Sequence, residues 1–150
     1  LGRLVGSEMC IRDRYNNTIK LKDFSGKKLI VFFYPRANTP GCTAQACNLR
    51  DSYSELIKEG YSLLGVSADS IKHQKSFSDK FNFPFSLLSD TDHKVINIFG
   101  VWGPKKFRGK EYEGINRITF VIDENGLVDR VIDKVKTKDH TSQILENLSI

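Results

Sequence analysis

The segment LIVFFYPRANTPGCTAQAC, residues 29–47, decides the fold. Its first six residues, 29–34, are all apolar, which is typical of a strand buried on both faces of a helix-covered sheet. Thr39 can cap a helix that has Pro40 at its first position, where a missing N–H group costs nothing. Apolar residues at helical spacing predict that this helix continues until Gly60 ends it.

The rest of the chain continues this alternation of strands and helices. Residues 61–67, YSLLGVS, predict a second buried strand, and residues 117–123, RITFVID, predict a third. Residues 127–133 return antiparallel after a tight turn. The remaining predicted elements are helices over residues 70–81, 91–99 and 140–148 and a short extended segment over residues 82–90. The pattern indicates one α/β domain with a central mixed β-sheet flanked by helices.

The composition is that of an ordinary globular domain. A chain of 150 residues is long enough for one sizeable core, and its net charge of +5 is only mildly basic. The densest group of cations, Lys105, Lys106, Arg108 and Lys110, lies among glycines and proline, so we predict a solvated loop there. A nucleic-acid patch is the alternative, but no known nucleic-acid-binding motif accompanies it, and no nucleic-acid partner is expected.

The cellular compartment is inferred from what the sequence lacks. No apolar run approaches the ~20 residues of a membrane span, and residues 1–14 contain no apolar core of a secretory signal. The three cysteines are an odd count and form no dense disulfide framework. We therefore expect a cytoplasmic protein without a membrane partner, whose cysteines serve chemistry.

Two of those cysteines, Cys42 and Cys47, lie five residues apart at the start of the predicted helix. Cys42 would fall in the first helical turn, where unpaired N–H groups and the helix dipole stabilise an anion. It is therefore a candidate thiolate nucleophile. Helix geometry places the two Cα atoms about 8–9 Å apart, whereas a disulfide needs less than about 7 Å. The pair can bond only if the first helical turns unwind.

Other interpretations of the pair remain open at this point. Both cysteines could be small buried hydrophobic residues, as free cysteine often is. A zinc site is weaker, because zinc needs four ligands and the three histidines lie in separate elements. A redox sensor could use the same unwinding to change a partner surface, with slow turnover. The thioredoxin-type C-x-x-C motif is missing.

The sequence PRANTPGCTAQAC, residues 35–47, resembles the active-site segment of the peroxiredoxins, P-x-x-x-T-x-x-C. It is similar in particular to the bacterioferritin-comigratory-protein or PrxQ branch, in which a second cysteine follows five residues after the first. Further segments agree in order: LRD (49–51), LLGVSADS (63–70), FPFSLLSD (83–90), FGVWG (99–103) and GINRITFVID (114–123). The resemblance implies a thioredoxin-like fold.

The resemblance also implies a thiol peroxidase and assigns its residues. Cys42 would be the peroxidatic cysteine, whose thiolate attacks a hydroperoxide and becomes a sulfenic acid. Thr39 would orient the peroxide, and Pro35 would shield the site from water. Arg117 would stabilise the thiolate and polarise the peroxide bond. Cys47 would be the resolving cysteine, forming a disulfide with Cys42.

The resemblance implies partners as well. Hydrogen peroxide and organic hydroperoxides would be the substrates, thioredoxin or glutaredoxin would reduce the disulfide, and no metal or organic cofactor would be needed. Members of this branch are mostly monomers, so a monomer is expected. Apart from the resemblance, Arg117 could be a surface ion-pairing residue, Gln45 a surface helix former, and Trp102 a packing residue or a substrate-binding aromatic.

The beginning of the chain departs from the family pattern. The branch usually opens with a segment like G-D-x-A-P-x-F-x-L-x-D, but here residues 1–13 read LGRLVGSEMCIRD. We expect residues 1–14 to be a non-native or disordered leader, because no strand or helix pattern runs through them. Cys10 would then have no catalytic part. Residues 15–150 would form the peroxiredoxin domain.

Overall fold

The computed structural model describes residues 10–24 and 26–148. Nine strands lie in this part of the chain: β1 (Cys10–Asp13), β2 (Thr18–Lys20), β3 (Lys28–Phe33), β4 (Tyr61–Ser67), β5 (Ser86–Ser89), β6 (Trp102–Phe107), β7 (Lys110–Ile115), β8 (Thr119–Ile122) and β9 (Val128–Ile132). The helices among these residues are α1 (Pro40–Asp51), α2 (Tyr53–Lys58), α3 (Ile71–Phe81), α4 (Lys94–Ile98), α5 (His140–Asn147) and a short 3-10 turn at Leu21–Phe24.

Seven strands form one mixed sheet in the order β2-β1-β5-β4-β3-β8-β9, and β6 and β7 form a hairpin of their own. Strands β3, β4 and β5 run parallel to one another, and the outer strands pair antiparallel. Helices lie on the faces of this sheet, so the predicted α/β architecture with a central mixed sheet is confirmed.

Strand β3 lies near the middle of the sheet, and its side chains alternate between two hydrophobic clusters. One cluster takes Leu29, Val31 and Phe33, and the other takes Ile30, Phe32 and Tyr34. Helix α4 covers the first cluster, and helices α1, α3 and α5 cover the second. Since both faces are covered, every position of the strand must be apolar, as the sequence indicated.

The helix predicted from Pro40 to Gly60 is interrupted. Helix α1 ends at Asp51 and α2 begins at Tyr53, because Ser52 leaves the helical conformation at φ −115° and ψ 18°. The break lets the two segments pack in different places: α1 lies against α5, and α2 lies against β4. A single straight helix could not follow both surfaces.

The prediction of a solvated loop around Lys105–Lys110 is right about exposure for Lys106, Arg108 and Lys110 but wrong about the loop, because the segment is a β-hairpin. Strands β6 and β7 pair there in register from Trp102 opposite Ile115 to Phe107 opposite Lys110. Arg108 and Gly109 form the turn at φ 51° and 80°, the left-handed conformations that a tight hairpin turn needs. Glycine adopts this conformation without steric cost.

Disorder, one of the two alternatives predicted for residues 1–14, is not found at residues 10–14. Strand β1 pairs with both β2 and β5, and Ile11 belongs to the core. Arg14 is buried and donates from Nη1 to the carbonyl of Phe85 at 3.0 Å. Pairing with distant strands supplies the order that local sequence did not predict. Residues 1–9 lie outside the described residues.

None of the helices in the described part of the chain combines the length and apolar character that crossing a membrane requires.

Candidate active site

Cys42 is the third residue of α1, at the carboxyl end of β3. Pro40 opens the helix, and the first helical hydrogen bond runs from the Thr43 N–H to the Thr39 carbonyl at 2.8 Å. The N–H groups of Gly41 and Cys42 precede that bond and belong to the unpaired set at a helix start. The Cys42 side chain is 1% exposed and packs in the cluster that α1 covers. The thiol thus lies in an apolar surrounding beside a helix N-terminus.

Arg117 reaches Cys42 from a point 75 residues further along the chain. Its Nη2 lies 3.4 Å from the Cys42 Sγ, and its Nη1 donates to Gln45 Oε1 at 2.7 Å. A Cβ added at Gly41 would lie 3.1 Å from Nη2, so the guanidinium packs closely on the helix start. Arg117 precedes β8 by two residues rather than opening that strand. The interpretation of Arg117 as a surface ion-pairing residue is therefore excluded.

Gln45 is not the surface residue that the sequence suggested. Its side chain is fully buried, one turn after Cys42, and its Oε1 accepts the Arg117 bond. Because the amide holds one guanidinium nitrogen, the other is aimed at the sulfur. Helical spacing could have revealed this residue, since positions 42, 45, 46 and 49 share a buried face.

Thr39 occupies the N-cap position of α1, but its side chain does not cap the helix. Its Oγ1 donates to the carbonyl of Arg36 at 2.8 Å instead. The hydroxyl proton is thus committed to the loop, and the oxygen lone pairs are left to accept a hydrogen bond from another group. The predicted cap through the Thr39 hydroxyl is wrong, whereas its predicted position at the helix start is right.

A pocket of about 760 Å³ opens in front of this group, and Pro35, Thr39, Gly41 and Arg117 line one side of it. Cys42 is not among the lining residues, although its neighbour Gly41 and its partner Arg117 are. Of the residues assigned by the resemblance, Pro35, Thr39, Cys42 and Arg117 are therefore brought together, and Cys47 is not.

Another part of the pocket lining comes from the β6–β7 hairpin, which the sequence did not predict. Trp102, Lys105 and Tyr112 lie there. The Trp102 ring packs on His93 with centroids 4.5 Å apart, and its Nε1 donates to Glu113 at 3.2 Å. Trp102 therefore packs on the core, as one of the two interpretations predicted, and it also lines the pocket.

Lys105 adds a second cation near the thiol. Its Nζ donates to the carbonyl of Ile115 at 2.7 Å. Burial lowers the pKa of Lys105, the charge of Arg117 lowers it further, and Cys42 opposes the shift. The charge on this residue is therefore part of the site. Only the hairpin register brings it there, so no local sequence pattern pointed to it.

Cys47 lies on another side of α1 and is partly exposed. Burial raises the pKa of its thiol, although the charge of Arg50 partly offsets that effect. Both cysteines are free thiols within one intact helix. Their separation is therefore the one that helix geometry predicts, about 8–9 Å between Cα atoms.

The side chains that follow Cys47 fasten α1 to its surroundings. Asn48 Oδ1 accepts the N–H of Thr141 at 2.8 Å, and Asn48 Nδ2 donates to Lys138. Arg50 Nη1 donates to the carbonyl of Phe81 at 2.8 Å. Thr141 is the second residue of α5, so Asn48 satisfies a helix-start N–H group from a different helix.

A search of the described residues for three or more His, Cys, Asp or Glu side chains placed to hold a metal ion finds none.

The sequence of this chain is similar to those of known proteins. Residues 7–131 match the AhpC/TSA family. The putative peroxiredoxin bcp of Haemophilus influenzae is 52% identical over 130 residues, 87% of this chain and 84% of the relative. Peroxiredoxin Bcp of Escherichia coli is 45% identical over 141 residues, 94% of this chain and 90% of the relative.

Solved structures agree with the sequence comparison. The bacterioferritin comigratory protein of Xanthomonas campestris, which has been studied for alkyl peroxide reduction, superposes with a TM-score of 0.90 at 32% identity. That match covers 99% of this chain and 96% of the other. BcpB of Mycobacterium tuberculosis superposes with a TM-score of 0.82 at 32% identity, over 95% of this chain and 92% of the other. The predicted thioredoxin-like peroxiredoxin fold is confirmed.

Proposed function

The chain belongs to the AhpC/TSA family, in its Bcp/PrxQ peroxiredoxin branch, and we propose that it is a thioredoxin-dependent peroxidase working through Cys42 and Cys47. The observation that carries this proposal is the contact of Arg117 Nη2 with Cys42 Sγ at 3.4 Å, next to a helix start. A guanidinium and unpaired helix N–H groups beside the sulfur both stabilise negative charge on it.

In the first step, the Cys42 thiolate attacks the terminal oxygen of a hydroperoxide ROOH. The S–O bond forms as the O–O bond breaks, giving the sulfenic acid and RO⁻, which takes a proton from solvent to become ROH. Arg117 faces the negative charge that moves from sulfur to the leaving oxygen. Thr39 accepts a hydrogen bond from the peroxide O–H, because its own proton is held by the Arg36 carbonyl. Pro35 closes the side of the pocket against water.

In the second step, Cys47 loses its proton and attacks the Cys42 sulfur. The S–S bond forms and hydroxide leaves, to become water. The step requires α1 to unwind, since the intact helix keeps the sulfurs too far apart. Unwinding breaks the hydrogen bond of Gln45 to Arg117 and those of Asn48 to the start of α5. Those contacts therefore contribute to the free energy of opening.

In the third step, a thioredoxin dithiol reduces the Cys42–Cys47 disulfide by exchange and is itself oxidised to a disulfide. Thioredoxin is our proposed reductant, with glutaredoxin as the alternative. The proposal includes a monomeric, cytoplasmic enzyme that needs no cofactor.

The proposal is tested by intact-mass analysis and peptide mapping after one equivalent of hydrogen peroxide, followed by reduced thioredoxin. We expect the loss of two hydrogens, mapped to a Cys42–Cys47 bond and reversed by thioredoxin. Repeated turnover with catalytic amounts of thioredoxin distinguishes an enzyme from a slow redox sensor. An unchanged mass after peroxide would refute the assignment of Cys42 as the nucleophile.

Two variants separate the roles of the cysteines. Cys42→Ser is expected to abolish peroxide consumption, because no thiolate remains to attack. Cys47→Ser is expected to keep the first oxidation and then to accumulate sulfenic acid or more oxidised forms. Equal loss of the first oxidation in both variants would contradict this division. A Cys42–Cys10 bond in the wild type would contradict the proposed resolving cysteine.

A further inference from the structure

A chain of buried polar side chains lies behind the active site, and none of its members has a part in the steps above. Tyr34 donates from its hydroxyl to Gln74 Oε1. Gln74 Nε2 donates to Ser67 Oγ at 2.8 Å and to the Leu88 carbonyl at 2.9 Å. Tyr34, Ser67 and Gln74 are each at most 1% exposed. Polar groups so deeply buried are costly unless they are fully paired, and these are paired with each other.

The direction of the hydrogen bonds along this chain is fixed by its donors. Ser67 Oγ accepts from Gln74 Nε2 and from the Asp69 N–H at 3.2 Å. Both of its lone pairs are thereby used, so its proton goes to Asp69 Oδ2, 2.6 Å away. This series of hydrogen bonds ends at the Asp69 carboxylate, so buried side chains hold that carboxylate in position.

The Asp69 carboxylate in turn holds the backbone of the active-site loop. Its Oδ2 also accepts the N–H of Ala37 at 2.8 Å. Ala37 lies between Pro35 and Thr39, the two loop residues assigned to the peroxide pocket. Its neighbour Asn38 has φ 63°, a left-handed conformation that asparagine adopts more readily than most residues. The carboxylate therefore ties this loop to Ser67, the last residue of β4.

We propose that Asp69 is a positioning residue for peroxide reduction, because its hydrogen bond to Ala37 holds Thr39 and Pro35 in place over Cys42. The inference rests on the proposed peroxidase function. The role of Asp69 would differ from that of Arg117: one concerns the orientation of the peroxide, the other the stabilisation of the thiolate. Arg117 and the helix start act on the thiolate itself, whereas Asp69 acts on the loop that orients the second reactant.

The test compares two reagents for Cys42 in the full-length protein. Reaction with hydrogen peroxide needs both the thiolate and the oriented loop, whereas alkylation by iodoacetamide needs the thiolate alone. Both rates are measured at Cys42 by quenching and peptide mass mapping. For Asp69→Ala we expect the peroxide rate to fall roughly tenfold to a hundredfold, with the alkylation rate no lower than in the wild type.

Three further variants control for loss of charge and of structure. Asp69→Asn is expected to restore most of the peroxide rate, since an amide oxygen can accept the same two hydrogen bonds. Ser67→Ala removes one of the two and is expected to give a smaller loss. Asp79→Ala is the matched control, because Asp79 is an exposed carboxylate paired with Lys75 and remote from the pocket.

The outcomes separate this inference from the function on which it rests. A peroxide rate in Asp69→Ala equal to that of the wild type overturns the role of Asp69 and leaves the peroxidase proposal standing. Equal slowing of peroxide reaction and alkylation also overturns it, since the loss then concerns the thiol or the fold. If wild-type Cys42 does not react with peroxide, both proposals fall. Should Asp69→Ala not fold, Ser67→Ala decides by the same ratio of rates.

Discussion

The fastening of α1 to α5 by Asn48 leads to a quantitative prediction about disulfide formation. Replacing Asn48 with alanine removes its acceptor from the Thr141 N–H, 2.8 Å away, and its weaker donor bond to Lys138 at 3.2 Å. Loss of a helix-capping side chain typically costs about 1 kcal/mol. Both contacts exist only while α1 is folded in place. The substitution therefore lowers the free energy of opening by a similar amount.

The expected kinetic effect follows directly. If opening is a rapid equilibrium before Cys47 attacks, about 1 kcal/mol raises the open population and the disulfide rate roughly fivefold. The sulfenic acid then lives about one fifth as long, and a second peroxide converts proportionally less of it to sulfinic acid. The first oxidation of Cys42 should not change, because Asn48 does not touch the pocket.

The assay is rapid-quench mass spectrometry after a single equivalent of peroxide, which resolves sulfenic acid, disulfide and sulfinic acid with time. Asn147→Ala is the matched control. Asn147 also uses its side-chain amide in a bond within α5, to the Gln143 carbonyl at 2.9 Å, and it is exposed. A disulfide rate in Asn48→Ala that is unchanged or lower would refute the idea that this contact limits opening.

Three other predictions concern the guanidinium, the sheet and a buried histidine. Arg117→Lys should lower the peroxide kcat/KM roughly a hundredfold, because one ammonium cannot hold Gln45 and face the sulfur together. Gly65→Ala should lower the unfolding free energy by about 1–3 kcal/mol in urea titrations, since its Cβ would lie 2.7 Å from Phe32. Burial lowers the pKa of His140 to about 4, so stability is full above about pH 6.5 and should fall by roughly 3 kcal/mol toward pH 4.

Each of these has an outcome that would contradict it. An Arg117→Lys enzyme within threefold of the wild type would mean that charge alone suffices. An unchanged urea midpoint of unfolding in Gly65→Ala would mean that the neighbouring side chains shift to make room for the methyl group without loss of stability. Between about pH 4 and pH 6.5, His140 is protonated in the unfolded chain and neutral in the folded chain. The free energy of unfolding must therefore rise with pH over this range. A His140→Gln variant should lose that part of the slope, whereas His73→Gln, at a position outside the buried core, should keep it.

The parts of the fold that the sequence predicted are those fixed by local pattern. The unbroken apolar run of β3 required a sheet covered on both faces, and its residues divide between two clusters as such a strand must. Strand β4 was predicted at its observed bounds for the same reason. Cys42 was placed at a helix start because Thr39 and Pro40 mark one.

The parts that were not predicted depend on contacts between distant segments. Strand β1 has no clear alternating pattern, and it exists because β2 and β5 pair with it. Gln45 looks like a surface residue until Arg117, 72 residues away, is brought against it. The left-handed turn at Arg108 has no strong signal, because only Gly109 prefers that conformation. Long-range pairing overrides local preference in each case.

The β6–β7 hairpin forms a two-stranded sheet of its own, yet it supplies the pocket wall with Trp102, Lys105 and Tyr112. The thiols and Gln45 lie on α1, in another part of the chain. The two active-site thiols and the hairpin part of the pocket lining thus come from separate segments, which are linked through the charge of Lys105. Exchanges confined to the hairpin are therefore expected to change which organic groups fit the pocket, and those that keep Lys105 are expected to keep its charge beside Cys42. For protein engineering, this makes the hairpin the segment to graft between relatives when a new substrate range is wanted.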